Sequence, residues 1–269
     1  MSIQDSREIY LTKIKDKDKR DQRRKELEQS DLKVEKMRTR LKVYFDDLRL
    51  EQSMDALGYM CEKHGNSLRK NGELYIVHPL SMACRFQSLK IPDDDLFATI
   101  LLHDAIEESA PLNRVLSSSE VAKLAEDLPV GDIVKSAVKL VTISSIYPTE
   151  SKSEIKFRYY HQFIDEDKLE NKIALKCKGF DRWDNNTTMT ALSKRAIRKN
   201  VLETSILLLP ILKEAKSKWP RESNILYILR SSIKETNDIL AFYNDIEDLN
   251  DREELIRLLD DESYLRGLR

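Results

Sequence analysis

Few residues in this chain can interrupt a helix. Its 269 residues include only 6 glycines and 7 prolines, too few turn and breaker residues to punctuate a β architecture. Most segments are built instead from Leu, Lys, Glu, Arg and Ala, which favour helices. The expected fold class is therefore all-α. Apolar spacing agrees: Val34, Met37, Leu41, Tyr44 and Leu48 step by 3, 4, 3 and 4, as residues on one helix face do. That stripe predicts the first core helix of a domain and is too short to require a coiled coil.

Before the stripe, residues 10–30 are mostly Lys, Arg, Asp, Glu and Gln, the pattern of a solvated or frayed helix with little to bury. "YPTESKSE" (147–154) reads as a loop. After residue 190 the chain is helical again. Pro210 within "VLETSILLLPILKEAKSKW" should kink or split its helix, "SNILYILRSSIKETNDILAFY" has helical apolar spacing, and "DREELIRLLDDESYLRGLR" predicts a short terminal helix. No internal repeat or low-complexity linker marks a border. The expected organisation is a charged N-terminal helical extension over 1–49, one main domain over 50–245 and a helical tail over 246–269.

Charged residues make up 35% of the chain, yet the net charge is −1. No global field gathers polyanions, so any anion site must be built from local basic residues. No continuous basic face with interleaved aromatics supports a nucleic-acid role. No apolar run reaches the ~20 residues that span a bilayer, and the charged N-terminus lacks the apolar centre of a secretory signal. Cys61, Cys84 and Cys177 are odd in number, widely spaced and form no CxxC pair. A reduced, cytoplasmic protein without disulfides or structural zinc is expected.

Three segments carry chemistry. "ILLHDAIEES" (100–109) is an apolar run that ends in His103, Asp104, Glu107 and Glu108. On a continuous helix Glu107 would stand about 40° from His103 and about 60° from Asp104, so all three could face one pocket. "RKNGELYIVHPL" (69–80) joins the basic pair Arg69 and Lys70 to Gly72, a short extended run and His78-Pro79. Proline suits a helix start, which places His78 in a first turn. "KCKGFDRWDNNTTM" (176–189) puts Asp181, Asp184 and Asn185 within about one helical turn, with Asn185 on the face of Asp181. Together these supply a mixed nitrogen and oxygen set suited to a divalent transition metal. Of the other histidines, His64 is expected to make a structural contact and His161 to be exposed. Taken singly, each segment also fits a polar helix end or rim.

The ordered set "RKNGELYIVHP", "LLHDAIEES" and "KCKGFDRWDN" resembles the HD-type hydrolase domain of the Rel/SpoT family, over roughly residues 50–190 with weaker agreement to about 245. "EKHGNSLRK" and "VKSAVKL" (134–140) are lesser matches. The resemblance implies an HD-type helical fold over 50–245 and hydrolysis of guanosine 3′,5′-bis(diphosphate)-type alarmones to pyrophosphate and GDP or GTP. It further implies Mn(II), or another divalent transition metal, held by His78, His103, Asp104 and Asp181. Glu107 matches the catalytic glutamate and Glu108 its acidic neighbour. Arg69 and Lys70 match the basic pair on the nucleotide, Asn185 a pocket asparagine, and Lys178 and Arg182 basic positions flanking the metal aspartate. The implied partner is a small phosphorylated nucleotide, with neither nucleic acid nor membrane. The terminal helices are the candidates for self-association or a protein partner.

The chain departs from the family pattern at Glu108, where Asp is usual, at Asn71 and Leu74 in the loop, in the "HGNS" order at 64–67, and at Asp184, where His or Tyr is common. A negative charge at 184 weakens polyphosphate binding unless it is paired or turned away. Two alternatives stay open: an HD phosphohydrolase of another nucleotide such as the adenosine alarmone, and a catalytically silent nucleotide-binding module.

Overall fold

The computed structural model describes residues 3–65, 67–69, 72–107, 115–147, 149–189 and 192–261. It is all-α apart from one pair of two-residue strands. The chain forms two compact units, Met1–Ala105 with Leu128–Gly131, and Ile106–Asp127 with Asp132–Arg269.

The first unit contains α1 (Ile3–Thr12), α2 (Lys17–Leu48), α3 (Glu51–His64), α4 (Val77–Ser88) and α5 (Asp94–Leu102). α2 starts at Asp16, whose carboxylate accepts the Lys19 N–H, and ends where Arg49 turns left-handed at φ 55°. The expected stripe is its core face: Val34, Met37 and Leu41 are buried. The 3,4 rhythm then fails, because a straight helix drifts from a seven-residue repeat; Phe45 is buried while Leu48 is exposed. The charged region before the stripe buries more than its composition suggested, since Leu11 and Leu27 are each 2% exposed. Phe45 and Phe86 meet Phe97 of α5 edge-on or tilted, at 5.1 and 4.4 Å between ring centres.

Partly buried polar bonds fix α5 against α3. Asp94 accepts the Ser53 N–H at 2.8 Å and the Ser53 hydroxyl at 2.5 Å, and Asp95 accepts from Gln52 Nε2 at 2.7 Å. Gln52 Oε1 in turn accepts the Gly131 N–H at 2.8 Å, which ties the 128–131 segment into this unit. Asp93 caps α5 through the Leu96 N–H. Every residue from Leu96 to Leu102 is buried, so α5 is a core rod with its C-terminus anchored.

The second unit contains β1 (Leu116–Ser117), α6 (Ser118–Glu126), α7 (Asp132–Val141), β2 (Ser144–Ser145), α8 (Lys152–Asp165), α9 (Leu169–Thr188), α10 (Lys194–Glu203), α11 (Leu209–Lys218), α12 (Ser223–Tyr243) and α13 (Arg252–Asp260). The strands pair in parallel, Leu116 with Ser144 and Ser117 with Ser145. α9 lies against α7 and α12. At Gly179 an added Cβ would sit 2.9 Å from Leu229 Cδ1, so glycine lets α9 approach α12 without displacing that side chain.

The expected loop over 147–154 is shorter than predicted. Ser151 and Glu154 form a reciprocal capping box that starts α8 at Lys152. Pro210 splits its helix as expected, with a π-helical turn over Thr204–Leu208 immediately before α11. The three cysteines are free thiols. Among the described residues, no helix is long and apolar enough to cross a membrane.

Candidate functional site

In the first unit the candidate residues gather at the end of α5 and the start of α4. α5 stops at Leu102, and the chain turns through 103–106. The continuous helix expected through Glu107 is therefore absent, and the angles drawn from it do not apply. The reason is local: the Ala105 N–H returns to the Leu102 carbonyl at 2.9 Å, tightening the end of the helix. His103 Nδ1 lies 2.9 Å from the Ile100 carbonyl. A carbonyl can only accept, so Nδ1 carries a hydrogen, and a neutral ring so oriented offers its lone pair at Nε2. That is the tautomer that coordinates metals, with the other nitrogen oriented by a hydrogen bond.

His78, in the first turn of α4 as expected, is 4% exposed, and His103 is 5% exposed. Their rings meet edge-on at 5.2 Å between centres. Asp104 Oδ1 is 3.2 Å from His103 Nε2. Its other oxygen, Oδ2, accepts a hydrogen bond from the Tyr75 hydroxyl at 2.7 Å. Two imidazoles and an oriented carboxylate form a donor set that fits a divalent transition metal.

Arg69 is half-buried. Its N–H donates to the Glu73 carbonyl at 2.8 Å, and its own carbonyl accepts the Gly72 N–H at 2.8 Å. Gly72 adopts φ 83°, which glycine alone takes without penalty. Lys70 lies outside the described residues, as does Glu108. His64 makes the expected structural contact, its ring 5.5 Å from that of Tyr75.

In the second unit α9 carries the remaining candidates. Asp181 is buried, and its carboxylate accepts from Lys178 Nζ at 2.6 Å and from Asn185 Nδ2 at 2.5 Å. Asn185 thus sits on the face of Asp181, as its spacing predicts. Burial disfavours the Lys178 ammonium, but the neighbouring Asp181 outweighs it and holds the group well above its ordinary range. Both donors fix the orientation of the carboxylate.

Arg182 points elsewhere. It is 4% exposed, and its guanidinium donates to Glu203 at 2.7 Å, to the Tyr160 hydroxyl at 3.1 Å and to Asn200 at 2.9 Å. Tyr160 and Lys156 also donate to Glu203, at 2.8 and 3.2 Å. Burial works against the Glu203 carboxylate, yet Lys156 and Arg182 hold it well below the usual carboxylate range. The Tyr160 phenol is pushed up to about 12 by burial and by the Glu203 charge. Asp184 is buried, while the guanidinium of Arg182 bonds to Glu203.

Glu107 is exposed, and its Oε1 accepts the Ile143 N–H just beyond α7, at 2.8 Å. His161 is exposed on α8, as expected. Two residues that sequence reasoning passed over are Tyr75 and Glu203. Tyr75 stands inside the quoted 69–80 motif without a spacing signal of its own. Glu203 lies 21 positions from Arg182, and no local pattern joins them.

A helical protein with two buried facing histidines, an adjacent oriented aspartate and a second buried aspartate on a long helix has named counterparts in sequence. One is a guanosine-3′,5′-bis(diphosphate) 3′-pyrophosphohydrolase of Aquifex aeolicus, 27% identical over 164 residues, covering 60% of this chain and 21% of the relative. Another is a GTP pyrophosphokinase of Myxococcus xanthus, 28% identical over 179 residues, covering 65% of this chain and 22% of the relative. A third, from Spiroplasma citri, also bears the 3′-pyrophosphohydrolase name and is 29% identical over 133 residues, covering 48% of this chain and 16% of the relative. The match thus spans about a fifth of the length of these curated relatives. No family model matches the chain. No solved structure matches it either. On these similarities the chain is like the Rel/SpoT-family hydrolases.

Proposed function

We propose that the chain is a metal-dependent 3′-pyrophosphohydrolase of guanosine 3′,5′-bis(diphosphate)-type nucleotides. The observation that carries this reading is the buried His78–His103 pair with Asp104 oriented beside it. The relatives named as 3′-pyrophosphohydrolases support the direction of the reaction. The pyrophosphokinase name of another relative makes the assay decisive.

The proposed ligands are His78, His103 and Asp181, all buried, together with Asp104. Mn(II) suits this nitrogen and oxygen set, as other divalent transition metals do. When bound, such an ion supplies Lewis acidity and lowers the pKa of coordinated water. The chain's own groups do the rest. Tyr75 holds Asp104, and Lys178 and Asn185 hold Asp181, so the carboxylates need not reorganise.

Glu107 is the proposed base. Its Oε1 is held by the Ile143 N–H, which orients the carboxylate to take a proton from the attacking water. Water adds to the 3′-linked phosphorus, the bond to the ribose 3′-oxygen breaks, and that oxygen ends protonated. The products are pyrophosphate and a nucleoside 5′-diphosphate. Arg69, and Lys70 beside it in sequence, offset the substrate charge; a guanidinium grips phosphate oxygens as a fork. Arg182 is assigned a positioning role on α9 through Glu203 rather than contact with nucleotide.

The test is product analysis on Mn(II)-loaded protein, offered guanosine and adenosine 3′,5′-bis(diphosphates) in parallel. Pyrophosphate with GDP as the faster outcome supports the reading. Faster turnover of the adenosine compound reassigns the base. No turnover of either, with metal bound, overturns it in favour of another phosphoester substrate or of nucleotide binding without hydrolysis.

A further inference from the structure

The loop that carries Arg69 is held from outside by the N-terminal helix. Arg7 on α1 donates from Nε to the Gly72 carbonyl at 3.1 Å. Both of its terminal nitrogens donate to the Asp31 carboxylate of α2, one of them at 2.6 Å. Asp31 thereby fixes the fork that reaches the loop. Tyr10, three residues further along α1, packs against the same glycine. A Cβ built on Gly72 would fall 2.7 Å from Tyr10 Cδ1 and 2.9 Å from Cε1, so the ring packs where only hydrogen fits. Arg23 of α2 adds a longer approach to the Glu73 carboxylate at 4.0 Å.

The held segment is internally bonded, so a contact at Gly72 is felt at its ends. Leu68 and Leu74 pair in an antiparallel bridge. The Arg69 N–H donates to Glu73 and the Tyr75 N–H to Ser67, each at 2.8 Å. One end presents Arg69. The other presents Tyr75, whose hydroxyl orients Asp104. No residue of α1 has been given contact with nucleotide or metal, yet α1 is bonded to the piece of backbone that sets both.

We propose that α1 is a strap, in which Arg7 and Tyr10 are positioning residues for Arg69 and for the Tyr75–Asp104 bond. The charged N-terminal segment is thus part of the apparatus that receives a nucleoside polyphosphate. Loss of the Arg7 or Tyr10 contact with Gly72 would loosen that apparatus. The identity of the ligand rests on the function proposed above; the strap itself does not.

The full-length protein is compared with Arg7→Lys, Tyr10→Ala and Arg24→Ala. Lysine keeps a cation for Asp31 but cannot serve Asp31 and Gly72 together. Tyr10→Ala removes the ring beneath Gly72. Arg24 bonds Glu8 on the exposed side of α1, at 2.9 Å, and does not touch the loop, so Arg24→Ala is the control. Circular dichroism confirms folding of each. The first readout is hydrogen exchange at the Arg69, Gly72 and Tyr75 amides without ligand. Loss of one such bond should speed exchange about fivefold in Arg7→Lys and Tyr10→Ala, and Arg24→Ala should leave it unchanged.

The second readout is KM for guanosine 3′,5′-bis(diphosphate), expected to rise about fivefold with kcat changing less, as for lost binding of ground and transition states alike. Unchanged exchange in both loop-facing variants overturns the strap. Faster exchange with unchanged KM overturns the positioning of Arg69. If the wild-type protein hydrolyses neither nucleotide, the proposed function fails while the exchange comparison still decides the strap.

Discussion

Glu203 shows how a single buried carboxylate can organise a helix that carries site residues. Four groups converge around it: Lys156, Tyr160 and Arg182 donate to it, and Asn200 accepts from the same guanidinium. Glu203→Gln leaves the buried Arg182 and the partly buried Lys156 without their anion, and breaking a buried pair in this way costs roughly 3–5 kcal/mol. The measurement is the urea midpoint at neutral pH. The pH dependence has a definite sign. The folded-state pKa of Glu203 is depressed below its unfolded value of 4.5, so the stabilisation is fully present above that value. It is lost as pH falls below it, toward the folded pKa, at a rate on the order of 1 kcal/mol per pH unit. The stability gap between wild type and Glu203→Gln should therefore narrow below pH 4.5. A gap that stays constant to pH 3 would remove this role. Glu107 makes the contrasting case, an exposed carboxylate that accepts the Ile143 N–H. Glu107→Gln should leave Mn(II) binding intact and lower kcat about 10²–10⁴-fold; loss of metal would make it a ligand instead. His78 and His103 stood out because only 4 histidines occur in the chain, and Asp104 because it directly follows one of them. Arg182 was legible as a cation but not as Glu203's partner, since that pairing depends on how α9 meets α10.

At the scale of helices, periodicity reported faces well and ends poorly. The α2 stripe was readable because apolar spacing is a property of the helix itself. The stop of α5 at Leu102 was not, because the turn after it comes from the His103 ring and the Ala105 N–H engaging the last carbonyls. Those bonds also direct His103 toward His78. The Ser151–Glu154 box was present in the sequence as S-x-x-E, yet the surrounding turn residues outweighed it. α9 and α12 supply a sharper test. Gly179 sits mid-helix, and replacing such a glycine with alanine gains roughly 1 kcal/mol of helix propensity. Against this, the new methyl would lie 2.9 Å from Leu229 Cδ1, in a fully buried contact. Overpacking costs about 1–3 kcal/mol, so Gly179→Ala should be destabilising on balance, by about 1 kcal/mol. Adding Leu229→Ala, which alone costs about 2–5 kcal/mol, should then cost less than it does in the wild-type background. A double-mutant cycle in urea measures that coupling, and strict additivity would show that α9 and α12 do not press at Gly179.

At the scale of the whole molecule, composition anticipated the helical class but not the partition into two units. The segment Leu128–Gly131 joins the first unit although the sequence around it belongs to the second. No linker composition announces this, because the tie is one amide reaching across 79 positions, from Gln52 to Gly131. The proposed metal offers a test that involves the chain as a whole. An ion bound only by folded protein stabilises it by about 2.7 kcal/mol at a hundred times its dissociation constant. For a chain of this size each kcal/mol moves the melting temperature by roughly 2–4 °C. Mn(II) should therefore raise the midpoint by roughly 5–10 °C, and a chelator should reverse the rise. Asp104→Ala and Asp181→Ala each remove a proposed ligand. Each substitution alone should abolish the Mn(II) shift, read against that variant's own metal-free midpoint. Two unfolding transitions can appear in a chain built of two units, so the shift is read on each transition separately. If Asp181→Ala keeps the full shift, Asp181 is no ligand, and its bonds to Lys178 and Asn185 serve the helix alone. If both substitutions erase it, Mn(II) binding needs both aspartates, and the bonds that orient them, from Tyr75 to Asp104 and from Lys178 and Asn185 to Asp181, are bonds on which that binding depends.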